Sequence, residues 1–244
     1  MMNDIDIDTM KAGFETEQNE LSKKLVLRDS FIPSELKTCA GVDLAYWEED
    51  GKERAVCCIV VIDMHTHEVI ENKRFDGFIE VPYMPGFLAY RELPLIKKCM
   101  ALLETKPDIW FFDGNGYLHP RHMGSASQAS FLLPEGTPTV GVAKTYYRVK
   151  GAEYTEPAPE AGSFTDIVIE GEAYGRVLRT HEGVKPVFVS AGNNITLETA
   201  SQLTLALTDK ESHIPIPTRI ADLETHIARE ELRNGVHQDK DDTL

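Results

Sequence analysis

The chain has 244 residues, 42 % of them apolar, and a formal net charge of −15. That length and apolar share allow one sizeable α/β core and exclude an intrinsically disordered chain. No apolar run reaches the roughly 18 residues a membrane helix needs, and the acidic balance excludes a surface that is basic all round. The acids are concentrated at the two ends and between Glu153 and Glu172, which leaves room for a local basic groove.

The opening MMNDIDIDTMK has neither the basic nor the apolar region of a secretory signal. Up to about Arg28, Met10, Phe14, Leu21 and Leu25 recur at helical spacing. After the loop SFIPSELK, TCAGVDLAYW, ERAVCCIVVID and VIENKRFDGFIEV read as an antiparallel meander, with HTHE turning between the last two. A helix is expected over 86–105, interrupted or kinked at Pro94. IWFFD is a short buried strand of the kind found in parallel sheets, SASQASFLL a helix, and TVGVAK another strand. A loop over 151–164 precedes a hairpin that turns at Gly171. PVFVS is the last strand, Thr196 caps the next helix with Glu198 in its first turn, and TRIADLETHIAREEL is a closing amphipathic helix.

This order predicts one domain over 1–244, with a mixed sheet flanked by helices and flexible acidic ends at about 1–8 and 236–244. The four cysteines, Cys39, Cys57, Cys58 and Cys99, have no C-x-x-C spacing. Adjacent Cys57 and Cys58 would face opposite sides of a strand. They read as reduced core thiols, which implies a cytoplasmic protein.

Three acids follow structural signals: Asp43 inside GVDLAY, Asp113 at the end of IWFF, and Glu92 early in a helix. A carboxylate in or beside a buried strand is costly unless it is hydrogen-bonded or faces a cation. Together these acids would make an oxygen cluster suited to Mg²⁺ or Mn²⁺; the alternative is that the two aspartates only cap turns. Beyond Asp113, the segment DGNGYLHPRHMG supplies Gly114 and Gly116 for close backbone approach. It also supplies His119 as a proton shuttle or phosphate-orienting group, and Arg121 with His122 as phosphate ligands. Lys144, at the end of TVGVAK, could stabilise a developing anion or be an ordinary surface lysine. In VPYMPGF two prolines stiffen a loop carrying Tyr83 and Met84, which suits a wedge between stacked bases and equally a side chain packed on the core.

GVDLAY, VPYMPGFLAYRE, PDIWFFDGNGYLHPRHMGSAS, TPTVGVAK and KPVFVSAGNNITLETA, in this order, resemble the endonuclease V family over most of the chain. The resemblance implies a ribonuclease H-like α/β fold and a monomeric Mg²⁺-dependent nuclease, Mn²⁺ being an alternative ion. Such enzymes act on DNA or RNA containing inosine or other deaminated bases, without a membrane. They cut the second phosphodiester on the 3′ side, leaving a 5′-phosphate and a 3′-hydroxyl. By position Asp43, Glu92 and Asp113 match the metal-binding carboxylates, Tyr83 the strand-separating wedge, and Lys144, His119 and Arg121 the GVAK and HPR motifs. Met84, Pro85, Gly86, Arg91, Gly114, Asn115, Gly116, His122 and Gly124 would complete the nucleic-acid surface, the glycines letting backbone approach an extruded base.

The chain departs from the family pattern at Asn115, where DGNG stands for the DGHG common in bacterial members, and at three further positions. Gln128 stands where a histidine is usual, and GNNIT puts Asn193 at a histidine position and Asn194 at a basic one. Asparagine can hydrogen-bond but cannot shuttle protons. These losses keep a second reading open, a binding protein for modified nucleic acid with weakened catalysis. A third, an ATP-handling protein, lacks a second phosphate-binding glycine loop.

Overall fold

The computed structural model describes residues 4–235. The expected flexible ends at 1–3 and 236–244 lie outside the described residues, while 4–8 form the first turns of helix α1 (Asp4–Ser22). The meander is β1 (Thr38–Glu49), β2 (Lys52–Asp63) and β3 (Val69–Phe78). Helix α2 (Leu88–Met100), β4 (Ile109–Asp113), α3 (Ser125–Ala129) and β5 (Thr139–Ala143) follow. The hairpin β6 (Phe164–Ile169) and β7 (Glu172–Leu178) leads to β8 (Val187–Asn193), α4 (Leu197–Ala206) and α5 (Ile216–Arg233).

All eight strands join one sheet in the order β3-β2-β1-β4-β5-β8-β7-β6. Strands β1, β4 and β5 run parallel, and every other pairing is antiparallel. The mixed sheet flanked by helices is the architecture that the element order predicts. At the β6–β7 turn Glu170 and Gly171 both have positive φ, the geometry of a two-residue turn that follows the sheet twist. Thr196 caps α4 by accepting the Thr199 N–H at 3.1 Å.

Three boundaries differ from expectation. Helix α1 stops at Ser22, six residues short of Arg28. Helix α3 is only Ser125–Ala129 before a 3₁₀ turn. Pro94 does not end α2, which runs on to Met100 with Pro94 on its exposed side.

One face of the sheet packs Val42, Ile59 and Trp110 against Leu95, Ile96 and Cys99 of α2 and Ala126 of α3. The other packs Cys39, Val60 and Phe111 against Ala200 of α4 and Ala221 of α5, with Cys58 and Ala45 meeting Ala228. All four cysteines are free and buried, with Cys57 and Cys58 on opposite faces. Gly41 is what lets α5 lie so close to β1: a Cβ there would sit 2.1 Å from the Pro217 backbone. Asp43, two residues on, shares that face and so looks towards α5. No described helix is long and apolar enough to cross a membrane.

Candidate active site

Parallel pairing sets Val42 beside Phe112, so the next residue on each strand places Asp43 beside Asp113. Asp222 reaches the same spot from α5, and one carboxylate oxygen from each of the three lies within 4.8 Å of the others. Lys144, one residue past β5, points its Nζ at Asp113 Oδ2 (2.6 Å) and Asp222 Oδ1 (2.9 Å). The Asp43 carboxylate accepts the Leu44 N–H at 2.8 Å.

Three acids and one ammonium make an unbalanced group. Burial, then the neighbouring Asp113 charge, pushes the Asp43 carboxyl up to about 9. Burial also raises Asp113, against the pull of Lys144. For Asp222 burial works upward, but its hydrogen bonds to Lys144 and Asp43 hold it below the ordinary range. Burial alone would lower Lys144; the charges of Asp113 and Asp43 and the hydrogen bonds to Asp113 and Asp222 together more than reverse that, so the ammonium persists. Burial and a second acid beside it both disfavour charge on Asp43, and a cation at this place would offset both. The donor set is all carboxylate oxygen, which suits Mg²⁺ or Mn²⁺ and not a soft metal.

Glu92 is not among the three carboxylates that meet within 4.8 Å, though it lies near enough to Asp113 to feel its charge. It arrives on α2, which packs on the opposite face of the sheet. There its carboxylate accepts hydrogen bonds from the Tyr46 hydroxyl (2.7 Å) and the Ser125 hydroxyl (3.1 Å). Burial pushes it up to about 7, with Asp113 contributing. The third acid of the group is Asp222, which the sequence reading missed. A charged residue on an amphipathic helix usually faces water, and the one available signal was its place beside the apolar stripe of Ala221, Thr225 and Ala228. His226, left without a role, has its Nε2 3.8 Å from Asp222 Oδ1.

The loop before α2 presents Tyr83 at 64 % exposure, whereas Met84 is buried beneath it. Arg91 does not reach outward. It is buried, donating to the Val81 carbonyl (3.0 Å) and pairing with Glu53 (2.7 Å), with the Tyr83 and Tyr46 rings 5.7 and 5.5 Å from its guanidinium. Behind Tyr83 a cavity of about 80 Å³ is lined by Gly86, Leu88, Asn115, His119, Gly124 and Tyr147, among others. Tyr147 is an aromatic wall that the sequence reading did not single out.

The remaining candidates are held by the protein itself. His119 Nδ1 accepts the Arg121 and Met123 N–H groups, each at 3.2 Å, and its Nε2 lies 3.0 Å from the Gly86 carbonyl. Both nitrogens are hydrogen-bonded within the protein, and burial lowers the ring to about 4, so the imidazole is neutral as it braces the loop. Arg121 donates Nε to Gln18 (2.6 Å) and Nη2 to Gly86 (3.2 Å). His122 stacks on Tyr117 with ring centroids 3.8 Å apart. The glycines also answer to packing: a Cβ on Gly116 would lie 2.3 Å from the Ala191 carbonyl oxygen, and one on Gly124 2.2 Å from that of Asn115. Pro85, between Met84 and Gly86, extends the same loop.

Gln128 is buried and accepts the Gln18 amide at 3.2 Å. Asn193 pairs with Thr139, the first residue of β5, at the end of that strand away from Lys144. Its carbonyl accepts the Val26 N–H (2.8 Å), its amide reaches Ser130 (3.0 Å), and Asn194 donates to the Thr137 carbonyl (3.2 Å). Asn193 thus ties the chain after α1 to the end of the sheet away from Lys144.

A family model described as Endonuclease V matches residues 19–223. The endonuclease V of Bacillus subtilis is 54 % identical over 212 residues, covering 87 % of this chain and 88 % of that one. A crystal structure of the Bacillus subtilis protein superposes with a TM-score of 0.88 at 49 % identity, covering 96 % and 95 % of the two chains. The Ciona intestinalis endonuclease V, crystallised with a DNA 24mer containing an inosine followed by a ribo-adenosine, superposes at 0.82 with 26 % identity. That match covers 92 % of this chain and 99 % of the Ciona one.

Proposed function

The chain belongs to the endonuclease V family, and we propose that it is a divalent-metal-dependent endonuclease cutting the second phosphodiester bond 3′ to an inosine in DNA or RNA. The observation that carries this reading is the Asp43–Asp113–Asp222 group with Lys144 on it, in a fold whose neighbouring loop holds an exposed tyrosine over a cavity.

In this reading Asp43, Asp113 and Asp222 hold the ion, and Glu92 adds negative charge from behind Asp113. A divalent cation bound there supplies Lewis-acid polarisation of the phosphodiester and an activated water. Lys144 then turns from the carboxylates to the phosphate oxygens and neutralises charge that grows as water adds to phosphorus. The bond to the 3′ oxygen breaks, leaving a 3′-hydroxyl and a 5′-phosphate. Tyr83 fills the space a base vacates, and the cavity behind it receives that base against backbone groups of Gly86, Asn115 and Gly124. Free cysteines fit a reducing cytoplasm, and the site is complete within one chain, consistent with a monomer.

The test is cleavage of matched DNA and RNA strands, with and without a single inosine, in Mg²⁺ or Mn²⁺. Cutting directly after the inosine's 3′ neighbour, abolished by chelation, is expected; uncut strands of both kinds would overturn the reading. The alternative of a binding protein with weakened catalysis rested on Gln128, Asn193 and Asn194. All three are hydrogen-bonded to other parts of the scaffold, Asn193 at the end of β5 away from Lys144, and none of these bonds favours it.

A further inference from the structure

Gln18 is fully buried on a helix that is otherwise largely exposed. Burying a carboxamide is costly unless its donors and acceptor are matched, and here they are. Nε2 donates to the Gly86 carbonyl (3.2 Å) and to Gln128 Oε1 (3.2 Å), while Oε1 accepts the Arg121 Nε (2.6 Å). The Gly86 oxygen is also approached by His119 Nε2 (3.0 Å) and Arg121 Nη2 (3.2 Å). Because His119 Nδ1 accepts two backbone N–H groups, the ring proton must be on Nε2 and points at Gly86. Three N–H donors thus converge on one carbonyl oxygen. Helix α1 is braced beside it by Phe14, whose ring stacks on Tyr90 of α2 at 3.7 Å.

We propose that Gln18, with His119 and Arg121, is a positioning residue: the clasp on the Gly86 carbonyl holds the Tyr83 loop at the height that keeps the cavity behind it open to a base. Gly86 ends the Tyr83 loop and lines the cavity, and His119 lines it too; Gln18 reaches Gly86 from a different part of the chain. A carboxamide is required because the position must donate to Gly86 and accept from Arg121 at once. The consequence for base binding rests on the endonuclease reading, whereas the clasp itself does not.

Two variants test it. Gln18→Met keeps the length and removes all polar contacts; Gln18→Glu keeps an acceptor for Arg121 and removes the N–H donors. In both, backbone amide exchange over 82–87 should accelerate about tenfold or more, the loss of roughly one buried hydrogen bond, while amides of β1 and β4 keep their rates. KM for an inosine strand should rise about tenfold with kcat within about twofold, and calorimetric Mn²⁺ affinity should not move. A merely structural glutamine would instead lower melting temperature, kcat and Mn²⁺ binding together, and that pattern overturns the proposal. Unchanged exchange over 82–87 in both variants also overturns it. Should Gln18→Met fail to fold, Gln18→Glu decides alone. A wild-type protein that cuts no inosine strand would sink the endonuclease reading, and the exchange comparison would still confirm or overturn the clasp.

Discussion

The segment from Asp113 to Gly124 begins and ends in opposite physical states. At its start, Asp113 shares a crowded space with Asp43 and Asp222 under a single ammonium, and the group carries more negative charge than it can balance. Six residues on, His119 has both ring nitrogens bonded, and Arg121 is tied to Gln18 and Gly86. The first region is unfinished in a way that a cation would complete; the second is finished and holds Tyr83 out to solvent. The contrast teaches that residues which look alike in a motif can divide between doing chemistry and holding the shape in which it is done.

The sharpest way to break that contrast is to remove an acid. Asp113→Ala or Asp222→Ala should lower the cleavage rate by roughly a thousandfold or more, since the loss strikes charge stabilisation at the reacting phosphate. Circular dichroism should show the fold retained, and near-wild-type turnover would refute the assignment of these acids to the ion. Tyr83→Ala touches only the second region. It should weaken capture of an inosine strand by about tenfold to a hundredfold, the worth of one stacked base, leaving Mn²⁺ affinity unchanged in titration.

The pH dependence separates the two regions again. The Asp43 carboxyl is raised to about 9, so below that pH an incoming ion displaces a proton. Apparent Mg²⁺ affinity should therefore climb up to about tenfold per pH unit between neutrality and 9, and calorimetry in buffers of different ionisation enthalpy should register proton release. The stability sign runs the other way. A carboxyl raised above its unfolded value favours the metal-free fold at low pH, and that contribution fades as pH rises from about 4 towards 9. Metal-free protein should lose melting temperature across this window, and added Mg²⁺ should restore it. The smallest effect belongs to the far end of the sheet. Asn193→His should change cleavage by less than about twofold while costing about 1 kcal/mol through the lost Val26 contact, measured by urea unfolding beside the activity assay.

Much of the fold was legible in the chain. Alternation and apolar runs marked the meander and IWFFD, Gly171 marked the hairpin turn, and Thr196 marked the start of α4, because each depends on neighbours a few residues away. Asp43 and Asp113 were visible for a similar reason: an acid in or at the end of a buried strand is anomalous on local grounds alone. Asp222 was not, because a charge on an amphipathic helix looks ordinary until that helix is laid against β1, and Gly41 decides how closely it lies. Glu92 and Asn193 show the converse: motif spacing cannot say which face of a sheet a helix covers or which end of a strand a residue reaches. His119 and Arg121 read as reactive because their side chains can be, and only the tertiary structure shows the partners they have in Gln18 and Gly86. The sequence by itself determined the order of the elements and two of the acids. The tertiary structure decided which charges meet and which polar groups are spent, since both depend on contacts between residues far apart in the chain.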